Sequence, residues 1–153
     1  MKNKTSIDLA LLILRIVLGG IMLAHGLQKV GIVPGGAPSL QATIDGFAGM
    51  GIPPWMGYLS VTAELAGGFA IMIGFLGRLA AFGVAVNMST AIYKVHASEG
   101  FFAPAGFEFP AALLAMAAAL LLAGMGDYSI DARIAASMDR AIVGKKKEEL
   151  PPS

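Results

Sequence analysis

The chain has 153 residues, 56% hydrophobic and 14% charged, with a mean hydropathy of +0.73; this balance is too apolar for an ordinary water-soluble domain and points to an integral membrane protein. Zero cysteines exclude dithiol exchange, thiolate-ligated haem and iron–sulfur binding, so any redox role draws on a cofactor or partner from outside. A net charge of +1 offers no electrostatic footprint for nucleic acid.

Four apolar windows recur, at 7–30, 55–76, 79–95 and 109–125, each close to the roughly 20 residues that cross a bilayer. The first follows the basic start Met1–Lys4 and so has the outline of a secretory signal. It is longer than a signal's apolar stretch, contains Arg15 and ends in LAHGLQKV without a small-residue cleavage site, so it is predicted to stay in the mature chain. Arg15, His25 and Lys29 lie within an arc of about 80° at 100° per residue, with Gly19 and Gly26 along the same helix.

The connection GIVPGGAPSLQATIDGFAGMGIPP is rich in Gly and Pro at its ends, but Leu40, Ile44 and Phe47 fall at helical spacing. A short interfacial helix is predicted there, with Ser39 as its N-cap and Gly49 or Gly51 as its stop, lidding the outer end; an unstructured linker is the alternative. The second window carries one charge, Glu64, on a strip of small residues that includes Gly57, Ser60, Gly67 and Gly68. Nine residues after Trp55, at about 1.5 Å each, it lies roughly 14 Å below the outer boundary. A carboxylate at that depth needs a partner, a shifted protonation or a task, because insertion alone costs it about 2.5 kcal/mol or more.

A tight turn at Gly77–Arg78 leads into the third window, where Asn87 and Lys94 are seven residues apart and share a face, with Tyr93 and His96 as interfacial anchors. Glu108 opens the fourth, at a helix N-terminus that favours a carboxylate. Residues 127–144 place Ile130, Ile134, Met138 and Ile142 every four residues with charges on the other faces, the pattern of an amphipathic helix on the cytoplasmic leaflet, and 145–153 reads as a mobile tail. The predicted fold is therefore an all-α integral membrane protein: one domain, 1–126, built as an up-down bundle of four transmembrane helices, with a short interfacial helix in the first external loop and a C-terminal amphipathic helix. Basic residues Lys2, Lys4, Arg78, Arg133, Arg140 and Lys145–Lys147 fall on one side, which predicts both termini in the cytoplasm.

Antiparallel threading brings His25, Lys29, Glu64, Asn87, Lys94 and Glu108 into the outer half of the bundle. Glu64 then finds Arg15, Lys29 or Asn87 as a partner, or is protonated. The plainer reading treats these residues as polar glue between helices. The sharper one makes Glu64, His25 and Lys29 a reactive set in a ligand pocket, with Arg15, Asn87, Lys94 and Glu108 contributing to binding. A haem held by His25 and His96 is disfavoured because the two histidines differ in depth, and no dense spacing of metal ligands occurs.

Three segments in order, LRIVLGGIMLAHGLQKV, GIPPWMGYLSVTAELAGGFAIMIGFLGRLAAF and GFEFPAALLAMAAALLLAGMGDYSIDARI, resemble the DoxX family of small bacterial four-helix membrane proteins over residues 9–134. Arg15, His25, Gly26, Lys29, Glu64, Gly67, Gly68, Gly74, Arg78, Gly126, Ser129 and Asp131 fall at that family's characteristic positions. The resemblance implies a plasma-membrane subunit of a redox or oxidative-stress system, in some relatives attached to thiosulfate:quinone oxidation and in others to superoxide dismutase and a sulfurtransferase. The expectation is thus a multi-pass protein whose outer-half pocket takes a small molecule, with no covalently bound cofactor and a quinone as the ligand. A noncatalytic anchor recruiting soluble oxidoreductase partners is the competing expectation, a small-solute transporter the third, and the bilayer and a further copy of the chain complete the expected partners.

Overall fold

The computed structural model describes residues 2–102 and 104–148, and every regular element among them is helical. Helix α1 runs Lys2–Lys29, and α2, Leu40–Gly49, starts where Ser39 Oγ accepts the Ala42 N–H at 3.2 Å, the N-cap bond expected of serine. Helix α3 covers Pro54–Ile73, opened by a proline whose missing N–H costs nothing in the first turn. Helix α4, Gly77–Ala91, continues through one π-turn, Ile92–His96, and a short 3₁₀ turn, Ala97–Glu99. Helix α5 spans Glu108–Ala123 and α6 Ile130–Glu148. The sequence expected α6 to stop at 144; it runs four residues into the segment read as a tail, of which 149–153 lie outside the described residues.

Two helices, Lys4–Lys29 and Pro54–Ile73, are long and apolar enough to cross a membrane, and α5 is a shorter apolar helix. Helices α1, α3, α4 and α5 pack as four rods in two pairs, α1 with α3 and α4 with α5. Close approach within the first pair depends on glycine. A Cβ on Gly68 would stand 2.8 Å from Leu23 N and 2.9 Å from Gly19 O, so the two backbones touch without side chains between them. The pairs meet in an apolar core of Leu18, Met22, Ile71, Val84, Leu113 and Leu120 with their neighbours. Contact between α3 and α4 is concentrated from Ala63 to Ile73, and the Pro54–Thr62 end of α3 stands away from α4.

The lower end of the rods is closed by polar bonds. Arg15 is 1% exposed, and its fork donates to Ile71 O (3.0 Å), Met72 O (2.8 Å), Met125 O (2.9 Å) and Tyr128 O (2.9 Å). Ile71 and Met72 close α3, while Met125 and Tyr128 lie in the connection from α5 to α6, so one side chain ties the two segments together. The tight turn between α3 and α4 sits at Gly74–Leu76, one turn earlier than Gly77–Arg78, because Gly74 takes the left-handed conformation (φ 68°) that ends α3. Leu76 is also left-handed (φ 48°), a strained setting for a side chain. Asp131, in the first turn of α6, holds it there: Oδ1 and Oδ2 accept the N–H groups of Leu76 and Gly77, each at 2.9 Å. Lys4 Nζ and Asp127 Oδ2 lie 2.7 Å apart, so the start of α1 and the entry to α6 share this end.

Candidate functional site

Above the core the rods enclose a cavity of about 610 Å³, walled by α1, α3, α4 and the segment from Pro104 into α5. Most of its lining is apolar or aromatic, including Met22, Phe47, Ile52, Trp55, Leu59 and Phe109. The polar groups in the wall are His25, Lys29, Ser60, Glu64, Asn87, Thr90 and His96. A volume of this size with a few convergent polar groups is typical of a small-molecule site.

Glu64 is the centre of the polar set. It is 3% exposed and sits on a single π-turn, Ala63–Gly67, that interrupts the α-helical ladder of α3; such one-turn widenings are frequent at functional sites. Both of its recorded partners use one oxygen: Lys29 Nζ donates to Oε1 at 2.5 Å and Asn87 Nδ2 donates to the same atom at 3.2 Å. Oε2 is buried with no hydrogen-bond partner. Lys29 also reaches Ser60 Oγ at 3.4 Å and lies 5.3 Å from the Phe47 ring centroid. This cation–aromatic contact ties the ammonium to α2. The His25 ring faces Phe109 at 6.1 Å between centroids, at the seam of α1 and α5.

Of the residues singled out in the sequence, the fold therefore brings His25, Lys29, Glu64 and Asn87 to one cavity. It places three others elsewhere. Arg15 was weighed as a binding residue and as a partner of Glu64, but ten residues of helix, roughly 15 Å of rise, separate it from His25, and its donors are occupied by the four carbonyls. Lys94 was expected to face the same way as Asn87. The π-turn at Ile92–His96 changes the register between them, and Lys94 instead borders an outer hollow with Phe82 and Leu121, its ammonium 5.5 Å from the Tyr93 ring centroid. Glu108, at the first position of α5, is not part of the cavity wall. His96, taken as an anchor, does line the cavity, with Nδ1 2.7 Å from Ala105 O.

Phe47, Gly83 and Val86 also line the cavity and were not picked out as site residues. Gly83 lies four residues before Asn87, one turn away on the same helix face, so periodicity alone could have found it. Phe47 could not be found in this way, because its place depends on how α2 folds back over Lys29. Among the described residues no group of three or more His, Cys, Asp or Glu is arranged to hold a metal ion.

Comparison with known proteins gives two positive findings. The sequence model of the DoxX family matches residues 10–97. The Bacillus subtilis (strain 168) protein named "Putative oxidoreductase CatD" is 29% identical over 104 residues, which cover 68% of this chain and 72% of that protein. No solved structure matches.

Proposed function

Because the chain belongs to the DoxX family, we propose that it is the membrane-embedded, ligand-binding subunit of a redox system, and that the cavity beside Glu64 takes a quinone and its quinol. On this reading all four rods cross the bilayer. The end carrying Lys4, Arg78 and Arg133 faces the cytoplasm by the positive-inside tendency, and the cavity opens in the outer half. The similarity to a protein named as an oxidoreductase favours a redox association over passive transport.

The observation that carries the reading is the divided carboxylate of Glu64. Oε1 is fixed by Lys29 and Asn87, while Oε2 is buried and unmatched. A buried acceptor left unpaired costs on the order of 1–3 kcal/mol, so the site is incomplete without a hydroxyl or N–H donor. A quinol supplies a hydroxyl for Oε2, an oxygen for Lys29 or His25, and an apolar ring for the aromatic wall. Interconversion of quinone and quinol moves two electrons and two protons. Glu64 Oε2 can accept one of those protons directly from a hydroxyl, while Asn87 keeps the carboxylate oriented through Oε1. His25, at the cavity edge, is placed to exchange a proton with the outside. When Glu64 takes that proton the quinol is being oxidised and its two electrons pass to a partner oxidoreductase, and in the reverse direction the partner supplies them, since a chain without cysteine holds no thiol couple or cluster of its own.

The test is titration of purified protein with heptyl-hydroxyquinoline N-oxide, a tailed quinol analogue with a hydroxyl donor and an acceptor oxygen, followed by its own fluorescence and by that of Trp55, the single tryptophan, which lines the cavity. Losing a charge-assisted bond of about 1.5–3 kcal/mol makes Glu64→Gln bind roughly 10 to 150 times more weakly. Equal affinity in a folded Glu64→Gln protein would refute the site.

A second reading, recruitment of a soluble oxidoreductase by α6, is favoured by its exposed stripe of Ile134, Met138 and Ile142. Truncation after Ala132, which keeps the Asp131 cap, separates the two. Probe binding without partner recovery assigns both roles; loss of recovery in a protein that never bound the probe leaves the scaffold alone.

A further inference from the structure

The cavity is covered by α2 at its Lys29 end and opens at the side between α3 and α4. At the Lys29 end, α2 lies across the rods: Thr43 Oγ1 donates to Lys29 O at 2.6 Å, and Ile44 is 3% exposed. A Cβ on Gly57 would come within 2.7 Å of the Ile44 side chain and 3.1 Å of Phe47, so α2 rests directly on α3. These contacts make a lid of α2 over the ion pair. Among the described residues the Pro54–Thr62 part of α3 makes little contact with α4, so the flank above Ala63 is not packed shut in this way. Leu59 on α3 and Val86 on α4 both line the cavity, yet they are 60% and 50% exposed. Cavity-lining residues that also face outward mark a mouth. Gly83 forms its sill, and a Cβ added there meets nothing within 4 Å. On the opposite seam the His25 and Phe109 rings stand across the gap.

A mouth walled by exposed aliphatic side chains, set in the flank of apolar rods, opens into hydrocarbon and not into water. Together with the buried, unmatched Oε2 at the inner end, it defines an amphiphilic slot, with a hydrogen-bond acceptor inside and an apolar exit at lipid depth.

We propose that the ligand is a long-tailed amphiphile that enters sideways from the bilayer between α3 and α4, its hydroxyl-bearing head reaching Glu64 and its chain leaving between Leu59 and Val86 over Gly83. This rests on the reading of the cavity as a quinol site and adds to it the route and the need for a tail. Gly83 thereby becomes a specificity position: it reads the chain, and Glu64 reads the head.

The experiment compares heptyl-hydroxyquinoline N-oxide with hydroxyquinoline N-oxide lacking the tail, on protein in lipid nanodiscs, in the parent chain and in Gly83→Phe. A Cβ at position 83 meets no neighbour within 4 Å, so the backbone there accepts a side chain. The tailed probe is expected to lose about tenfold or more in affinity and the tail-less probe less than about threefold. Equal losses would make Gly83 a wall of the head site, and no loss with either probe would put the tail elsewhere; both results overturn the proposal. Absence of binding by either probe to the parent chain would fail the quinol reading itself, with this proposal.

A second measurement does not depend on the folding of Gly83→Phe. Because the chain has no cysteine, single spin labels can be placed through Val86→Cys and Phe109→Cys and their collisions with dissolved oxygen recorded. Saturating tailed probe is expected to shield position 86 more than position 109, which borders the head cavity on the opposite seam. Equal or greater shielding at 109, or shielding at neither position, refutes the route between α3 and α4.

Discussion

Replacing Arg15 tests whether this buried cation holds the fold or serves the ligand. The side chain is 1% exposed and gives four hydrogen bonds, all to backbone carbonyls and all between 2.8 and 3.0 Å. Bonds from a charged donor are each worth about 1.5–3 kcal/mol in isolation, but bonds from one fork do not add. The measured cost of breaking a buried ionic network, about 3–5 kcal/mol, is the better guide for Arg15→Met. A total stability of about 5–15 kcal/mol makes that a large loss. Arg15→Lys keeps the charge but has one nitrogen in place of a planar fork, and cannot reach the carbonyls at the end of α3 and those in the α5–α6 connection together; it is expected to lose about 2–3 kcal/mol, corresponding to one or two charged bonds. Unfolding by SDS in mixed micelles, followed by circular dichroism, measures both. The Arg15→Met protein that remains folded is expected to bind heptyl-hydroxyquinoline N-oxide as the parent does, because the cavity lies at the other end. A loss below about 1 kcal/mol, or a stable variant that has lost probe binding, would refute the assignment of Arg15 to the clamp.

Three further outcomes follow from the same geometry. Asp131→Asn removes one of the two acceptor oxygens over the Leu76 and Gly77 N–H groups and should destabilise by about 1–2 kcal/mol in the same SDS titration, as loss of a charged helix cap does. Leu76→Gly relieves a left-handed residue and should raise stability by up to about 1 kcal/mol, a sign opposite to that of glycine within a helix. Lys29→Met leaves the Glu64 charge buried with Asn87 alone and should cost about 3–5 kcal/mol, most of it recovered in Lys29→Met/Glu64→Gln, where no charge remains to be matched. Additive losses in that double variant would mean that the pair is not coupled.

Much of this architecture could be read from spacing. The short helix over Leu40–Gly49, its Ser39 cap and the small residues that let α1 approach α3 all depend on local rules, and all are found in the structure. Helical phase also grouped His25 with Lys29 and aimed Glu64 inward. What it could not supply was the choice of partner. Arg15, Lys29 and Asn87 were all open as partners on helical face alone, and only the longitudinal alignment of α1 and α4 with α3 selects Lys29 and Asn87. The Lys94 expectation failed for a different reason. Phase arithmetic assumes 100° per residue, and the π-turn after Ala91 breaks that assumption between Asn87 and Lys94. No residue in Ile92–His96 announces a π-turn in the sequence, so a prediction carried across it loses its register. The Asp131 contact to the α3–α4 turn spans more than fifty positions and leaves no periodic trace.

The two polar clusters divide the molecule into a half that is fixed and a half that can change. At the Arg15 end, four carbonyls answer one guanidinium and a carboxylate caps the start of α4, so the rods are tied in their places there. At the Lys29 end, one carboxylate oxygen takes both of its recorded hydrogen bonds and the other takes none. A fold selected for stability alone would distribute those donors over both oxygens, or exchange the pair for apolar side chains, a replacement often neutral or stabilising in a buried site. Keeping Lys29 and Asn87 on Oε1 leaves the other oxygen of a cavity-lining carboxylate buried and without a donor. The Arg15→Met protein carries a second expectation. If it folds at all, its cavity should be less uniform, and the fluorescence lifetime of Trp55 should broaden at the far end of the molecule while probe affinity in the folded fraction is retained.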